Sequence, residues 1–453
     1  MIKSIIAKYL FEPAYYGVYG RFNWLKYYSF LKRTQWDTLE ENKKTQAGLL
    51  YELLDYSSKN IPYYKRIFEK KNIKIDKSTI FEDIRKIPVM TKEIIRSEFN
   101  NMYNIRKGIS WHYTSSGGST GEPIKLIQDN EFKMKMMLIK NIQKEWAGYQ
   151  LGETEIMLWG SEKDIIEKKE SIMHRFANWI KSSYVLNSFM MDPLKMKGYI
   201  GIINKKKPRL ILSYAQSINE LAKFIEEEKL EVFSPHAIMT SAGILYPQFR
   251  ENIEKAFKCP VFNRYGSREV WDAACECEKH EGLHVMMLTH YVEILNSKLQ
   301  PCKEGEVGYV YITLLTNFTM PLIRYKIGDM AQYTEKMCSC GRGLPLIKEI
   351  AGRDMDVFKT KDGRLIQGEF FIHFIGVVYN TGIIDKFQVI QKDYDLLEIK
   401  VVVKDRDGFE RNKGKIEKSI RKVMGNKCRI RWNLVNDIKP TKSGKYRYTI
   451  REF

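Results

Sequence analysis

Five short stretches and two close cysteine pairs carry the residue types that could do chemistry in this chain. Gly117–Pro123 (GGSTGEP) combines glycine-freed backbone N–H groups with the hydroxyls of Ser119 and Thr120, a set that can face phosphate oxygens. No Gly-Lys-Ser/Thr ending follows, so this is not the Walker pattern, and alone the same residues make a plain turn. Tyr265–Glu269 (YGSRE) follows a strand-like run and would set an aromatic wall beside a carboxylate able to hold Mg²⁺. Arg324–Asp329 (RYKIGD) ends in a Gly-Asp turn whose carboxylate can accept two ribose hydroxyls. Gly352–Gly363 (GRDMDVFKTKDG) has the charge and glycine of a joint, and Pro440–Arg447 (PTKSGKYR) carries Lys445 on a turn from which it can bring positive charge to a reacting phosphate. Read singly, each is also an ordinary turn, linker or solvated basic tail.

The cysteines raise a separate question. Their count is seven, and Cys275, Cys277, Cys338 and Cys340 fall in two close pairs. Without a secretion signal, metal ligation or free thiols are expected rather than a disulfide framework. Cys277-x-x-His280 and Cys338-x-Cys340 supply four soft or borderline donors suited to tetrahedral Zn²⁺. Cys275 and His284 are rival ligands, and buried free thiols are the bland alternative. With no open position such a site would be structural.

The elements that must position these residues are legible in outline. At 453 residues, 44% apolar and 13% aromatic, the chain is expected to form two or three domains around sizeable cores. Residues 1–90 read as helical, with Leu49, Leu50, Leu53 and Leu54 at the spacing of a buried face. From about residue 110 to 350, strand-like runs (LILSY, EVFSP, CPVFNRYG, LHVMML, GYVYITLL) alternate with amphipathic patterns (SINELAKFIEEEKL, YPQFRENIEKAF), which argues for a large α/β domain. After Gly352 the texture becomes strand, helix, strand, strand, helix, strand. That predicts a small α+β domain over 353–453, with FQVIQKDYDLLEIKVVV as a hairpin.

Lys and Arg number 75 against 55 Asp and Glu, a net charge of +20. The excess is spread along the chain and implies polyanionic partners: nucleic acid, acidic lipid or a phosphorylated small molecule. RNP-type and zinc-finger spacings are absent, so no specific nucleic-acid binding is expected. No apolar run of membrane-spanning length occurs. The first residues, MIKSIIAKYLFEPAYYG, do not read as a signal peptide, because Lys8 and Glu12 interrupt them. They predict an amphipathic helix on the protein's own body or on a membrane.

In this order the motifs resemble those of the adenylate-forming superfamily of acyl-CoA synthetases, over about residues 110 to 450. GGSTGEP matches its phosphate loop, TSAGIL (Thr240–Leu245) its adenine-side segment, YGSRE its Tyr-Gly-x-Thr/Ser-Glu motif, KIGD its Arg-Thr-Gly-Asp motif, GRDMD its hinge and SGKYR its C-terminal lysine motif. The leader QWDTLEENKKTQAGLLYELLDYSSKNIPYYKRIF, the double glycine, and CEKHEGLH followed by CSCGRGLP resemble the phenylacetate-CoA ligase branch. They are most similar to its CapK-type members, linked to capsular polysaccharide synthesis.

The resemblance implies a large α/β adenylation domain over 1–352, including the helical leader, and a small mobile lid over 353–453. It implies ATP, Mg²⁺ and CoA as reactant, cofactor and acceptor, and a cytoplasmic location, with peripheral contact to the membrane or to polysaccharide-assembly proteins. Gly117, Gly118, Ser119, Thr120 and Gly121 would hold the phosphates and Glu269 would hold Mg²⁺. Tyr265 with Gly266 would flank one side of the adenine, and Ala242 and Gly243 the other. Asp329 would bind the ribose with Arg353 nearby, and Lys445 would bridge the carboxylate and the α-phosphate. Arg268, Lys326, Ile327 and Met355 depart from the family pattern, which puts the local phosphate contacts and the hinge rotation in doubt; Glu122 replaces a dispensable Lys. The alternatives are an amide- or ester-forming ligase acting on a sugar, and a non-catalytic basic scaffold with a vestigial nucleotide site. Trp159, His174 and His236 are candidates for lining the acid pocket.

Overall fold

The computed structural model describes residues 24–116, 124–160, 182–188, 191–353, 356–366, 368–373, 375, 383–439 and 446–453. The expected N-terminal amphipathic helix, the loop Gly117–Pro123, His174, Met355 and Lys445 lie outside the described residues. The leader is helical: α1 (Trp24–Thr34), α2 (Leu39–Asn60), α3 (Pro62–Lys70), α4 (Ile80–Asp83) and α5 (Lys92–Glu98). Thr38 and Glu41 form a reciprocal capping box that starts α2. Ile61 leaves the helical conformation and Pro62, at the first position of α3, restarts it, so the break read at IPYY joins two helices. Leu50, Leu53 and Leu54 are fully buried.

A hairpin of β1 (Trp111–Ser115) and β2 (Lys125–Asp129) leads into α6 (Asn130–Trp146). Next come β3 (Glu155–Trp159), β4 (Ser183–Asn187), α7 (Pro193–Lys206), β5 (Leu210–Tyr214), α8 (Ala215–Glu227), β6 (Ala237–Ser241), α9 (Pro247–Phe257) and β7 (Val261–Ser267). These strands are mutually parallel, as helical crossovers require. Antiparallel strands β8 (Trp271–Glu276), β9 (Leu283–Val285), β10 (His290–Leu295), β11 (Val307–Leu314), β12 (Tyr325–Tyr333) and β13 (Leu346–Arg353) extend them. Together they form an eleven-stranded sheet in the order β10-β11-β12-β13-β9-β8-β7-β6-β5-β3-β4.

EVFSP is not a strand. Its segment is tied to α7 instead, with Asn204 Oδ1 accepting from Phe233 N at 2.6 Å and Asn204 Nδ2 donating to Glu231 O at 2.9 Å. Pro235 has no N–H to give a ladder. The strand lies just beyond, in the wholly buried AIMTS of β6.

After β13 the chain enters other sheets: β14 (Phe358–Lys359) with β15 (Leu365–Ile366), then α10 (Gly368–His373). The hairpin of β16 (Ile384–Asp393) and β17 (Leu396–Val403) turns at Tyr394–Asp395. α11 (Arg406–Met424), β18 (Arg429–Leu434) and β19 (Thr449–Arg451) complete a four-stranded sheet in the order β18-β17-β16-β19. Tyr448 packs edge-on against Tyr246 and Phe249 of α9, so the end of the chain touches the large sheet's helical layer.

Candidate active site and candidate metal centre

β6 ends at Ser241, and Ala242 follows with φ of 60°, a left-handed conformation that costs an alanine about 1 kcal/mol. Gly243 comes next, and Ile244 lies against Gly352 at the end of β13. One strand over, β7 carries Tyr265 at an irregularity opposite Ala274 and Asp272 of β8. Gly266 is obligatory, because an added Cβ would overlap the Trp271 carbonyl. Asp329 is the meeting point. Its Oδ2 accepts from the Tyr265 hydroxyl at 2.8 Å, and its Oδ1 lies 2.8 Å from Arg353 Nε. Asp329 and Arg353 are register partners across β12 and β13. Gly328, with φ of 91°, makes the turn that presents the carboxylate.

Glu269 is 5% exposed, and no described side chain hydrogen-bonds or ion-pairs with its carboxylate. Arg268 and Glu269 are held from behind: Gln128 Nε2 donates to the Arg268 carbonyl at 3.2 Å and Gln128 Oε1 accepts from Trp271 Nε1 at 3.1 Å. Gln128 belongs to the hairpin that flanks residues 117–123. Ser116 N donates to Ile124 O at 3.1 Å, so the residues on either side of that stretch are pinned together.

Lys92 is a site residue that the motifs did not reveal. It opens α5 just after Met90, which bridges to Tyr325, and it lies in the field of Glu269, Arg353 and Asp329. Burial pulls its ammonium below the usual lysine range, opposed by Glu269 and Asp329. The buried Tyr325 hydroxyl, in the same field, has no hydrogen-bond partner among the described residues. Burial first and Asp329 second raise the Tyr265 phenol. The Asp329 carboxylate raises the Arg353 guanidinium. At the joint, Asp356 accepts from Arg353 N at 3.3 Å and from Arg447 Nε at 2.9 Å, linking the Gly352–Asp356 turn to the segment that follows Lys445.

A second cluster gathers Cys277, His284, Cys338 and Cys340, whose donor atoms all lie within 4.8 Å of one another. His284 replaces the expected His280. It stands on β9 opposite Cys275 of β8, with Nε2 3.4 Å from Cys340 Sγ. His280, in the turn between those strands, is turned away, with Nδ1 3.0 Å from Glu276 and its ring against Phe262. Cys275 is buried outside the cluster, donating to the Glu276 carbonyl. The Cys277–Cys338 sulfur separation is 3.6 Å. Tetrahedral ligation with metal–sulfur bonds of about 2.3 Å requires edges of about 3.8 Å, so the donors suit one ion. Burial and the neighbouring Arg342 lower His284 to about 4, keeping the imidazole neutral as ligation requires.

The cluster's loop also clasps the leader. Gly343 N donates to Gln35 O at 3.0 Å, Asn42 Nδ2 donates to Gly343 O at 2.9 Å, and the Arg342 guanidinium lies between Trp36 and Trp146.

Of the acid-pocket candidates, Trp159 ends β3 with its ring 4.2 Å from that of Tyr214. His236 is exposed at the opposite, N-terminal end of β6, against Gly148, and does not belong to the site.

Comparison with known proteins agrees with this fold. Residues 358–452 match the CapK C-terminal domain family. Over 430 residues the chain is 26% identical to Protein CapK of Staphylococcus aureus, covering 94% of this chain and 92% of that one. It is 24% identical over 332 residues to the phenylacetate-coenzyme A ligase of Thermus thermophilus, covering 70% and 72%. The crystal structure of 2-hydroxyisobutyryl-CoA ligase in the postadenylation state superposes with a TM-score of 0.73 at 19% identity, covering 93% of this chain and 92% of that one. The fold is that of an adenylate-forming ligase, and the chain is similar to the phenylacetate-CoA ligase branch of that superfamily. It is similar, over nearly its whole length, to Protein CapK. None of the described helices is long and apolar enough to cross a membrane.

Proposed function

We propose that the protein joins a carboxylic acid to ATP, forming an acyl-adenylate and releasing pyrophosphate, and then passes the acyl group to a nucleophile with release of AMP. The convergence of Tyr265, Asp329 and Arg353 beside the Glu269 carboxylate, which has no partner among the described side chains, carries this reading. Asp329 would take the ribose hydroxyls and Tyr265 would wall the adenine, with Ala242 and Gly243 opposite. Gly117–Gly121, with the Thr120 hydroxyl, would take the β- and γ-phosphates. Glu269 would hold Mg²⁺, which supplies charge neutralisation on the phosphates. Lys445 would bridge the carboxylate and the α-phosphate, and rotation of residues 353–453 would then admit the acceptor.

The similarity to CapK supports a place in surface-polysaccharide synthesis, where the acceptor is the thiol of CoA or a sugar amine or hydroxyl. Cys277, His284, Cys338 and Cys340 would hold a structural Zn²⁺. ATP–pyrophosphate exchange across a panel of acids tests the first half-reaction. Acid-dependent labelling of ATP is the expected result; nucleotide binding without exchange overturns the enzymatic reading in favour of a scaffold.

A further inference from the structure

The side of the large sheet that faces α6 carries one cross-strand row at the C-terminal end of the parallel strands. Extending the registers of β3, β5, β6 and β7 places Trp159, Tyr214, Ser241 and Arg264 side by side, directly beneath Ala242 and Gly243. Trp159 and Tyr214 of this row keep partial solvent access next to the nucleotide segment.

Its far side is charged. Arg264 is 4% exposed and ion-pairs Asp272 at 3.3 Å, and Lys144 of α6 pairs Glu155. Lys140, one turn earlier on α6, lies in the field of all four. Lys140, Lys144 and Arg264 therefore share this region with Asp272 and Glu155. Both carboxylates are already engaged, and Lys140 has no acceptor among the described residues. The Nε of Arg264 and Oε1 of Gln143 are buried there without partners among the described residues. Lys140 keeps some solvent access although burial and the two neighbouring cations pull it down to about 8. A crowded ammonium with no acceptor among the described residues is the condition of a group awaiting an anion.

We propose that the acid activated here carries a second anionic group, which Lys140 and Arg264 receive while Trp159 and Tyr214 cover the body of the molecule. The proposal rests on the adenylation reading above and makes Lys140 a specificity-determining residue.

Matched acids test it: succinate and glutarate against butyrate and valerate, and isophthalate against benzoate. Each is scored by thermal stabilisation of the full-length protein and by ATP–pyrophosphate exchange. The dianionic acids are expected to stabilise the wild type and support exchange at least ten-fold better than their monoanionic partners. Lys140→Met should fold as well as the wild type and raise KM for the dianionic acid at least ten-fold, leaving KM for ATP unchanged. Lys140→Glu should turn the preference toward acids with a distal ammonium, such as 4-aminobutyrate. Monoanions performing as well as dianions, or Lys140→Met leaving KM for the dianion unchanged, overturns the subsite and leaves adenylation standing. Dianion-specific stabilisation that Lys140→Met abolishes, without exchange, supports the subsite and overturns adenylation. No response to any dianionic acid overturns the subsite.

Discussion

The Tyr265 hydroxyl donates to Asp329 Oδ2 at 2.8 Å although three strands, β8, β9 and β13, separate their strands in the sheet order. In a flat sheet four inter-strand steps would put them about 19 Å apart. The gap closes because β9 pairs with β13 only at Leu346 and Ile347, leaving the end of β13 that bears Arg353 free to curl toward β7. The candidate nucleotide cleft is the notch where this sheet splays.

That notch can be probed through Asp329. Asp329→Ala removes the acceptor for both Tyr265 and Arg353 and should weaken ATP binding at least ten-fold in calorimetry. Tyr265→Phe keeps the ring and loses one hydrogen bond, about 0.5–1.5 kcal/mol, and should weaken it about ten-fold at most. Equal affinities for wild type and Asp329→Ala would remove Asp329 from the site.

Lys445→Ala should cut adenylate formation by a factor on the order of 10², as loss of an aimed charge does. Asp356→Ala frees Arg447, two residues beyond Lys445, and should lower exchange while leaving ATP affinity unchanged. An unaltered exchange rate in Lys445→Ala would show that another cation serves the transition state, and Lys92 is then the first to examine.

Metal content separates the two histidines. Protein purified without added metal should contain close to one zinc per chain. His284→Ala should lose it, whereas His280→Ala should retain it. Full occupancy in His284→Ala would return the ligand to His280.

The clasp between the cysteine loop and the leader predicts that chelation reaches beyond the cluster. Stripping the metal should lower Tm and change the fluorescence of Trp36 and Trp146, which flank Arg342. Gly343→Ala should mimic this, since its Cβ would overlap the Asp37 carbonyl; the expected loss is about 1–3 kcal/mol. A metal-free protein with unchanged tryptophan emission would uncouple the two.

The candidate site was legible where the residues that would form it are contiguous. YGSRE, KIGD and GRDMD each pair a glycine turn with a charged or aromatic group, and local turn geometry is a short-range property. LILSY became β5 residue for residue because a buried parallel strand is a continuous apolar run bounded by breakers. EVFSP reads the same way, yet the side chain of Asn204 on a distant helix takes its backbone groups. Lys92, Lys140 and the choice of His284 over His280 had no local signature. Each depends on which face of an element meets a neighbour far away in sequence.

The sequence by itself determined the order of the elements, the turn residues that shape the notch and the supply of soft ligands, because these follow from composition and short-range spacing. Only the tertiary structure decided that β13 splays to carry Arg353 onto Asp329, that β9 presents His284 to the cysteines, and that α6 brings Lys140 into the field of Arg264 and Asp272. Those are outcomes of long-range strand registry and of burial, which fix distances between residues that the chain keeps far apart.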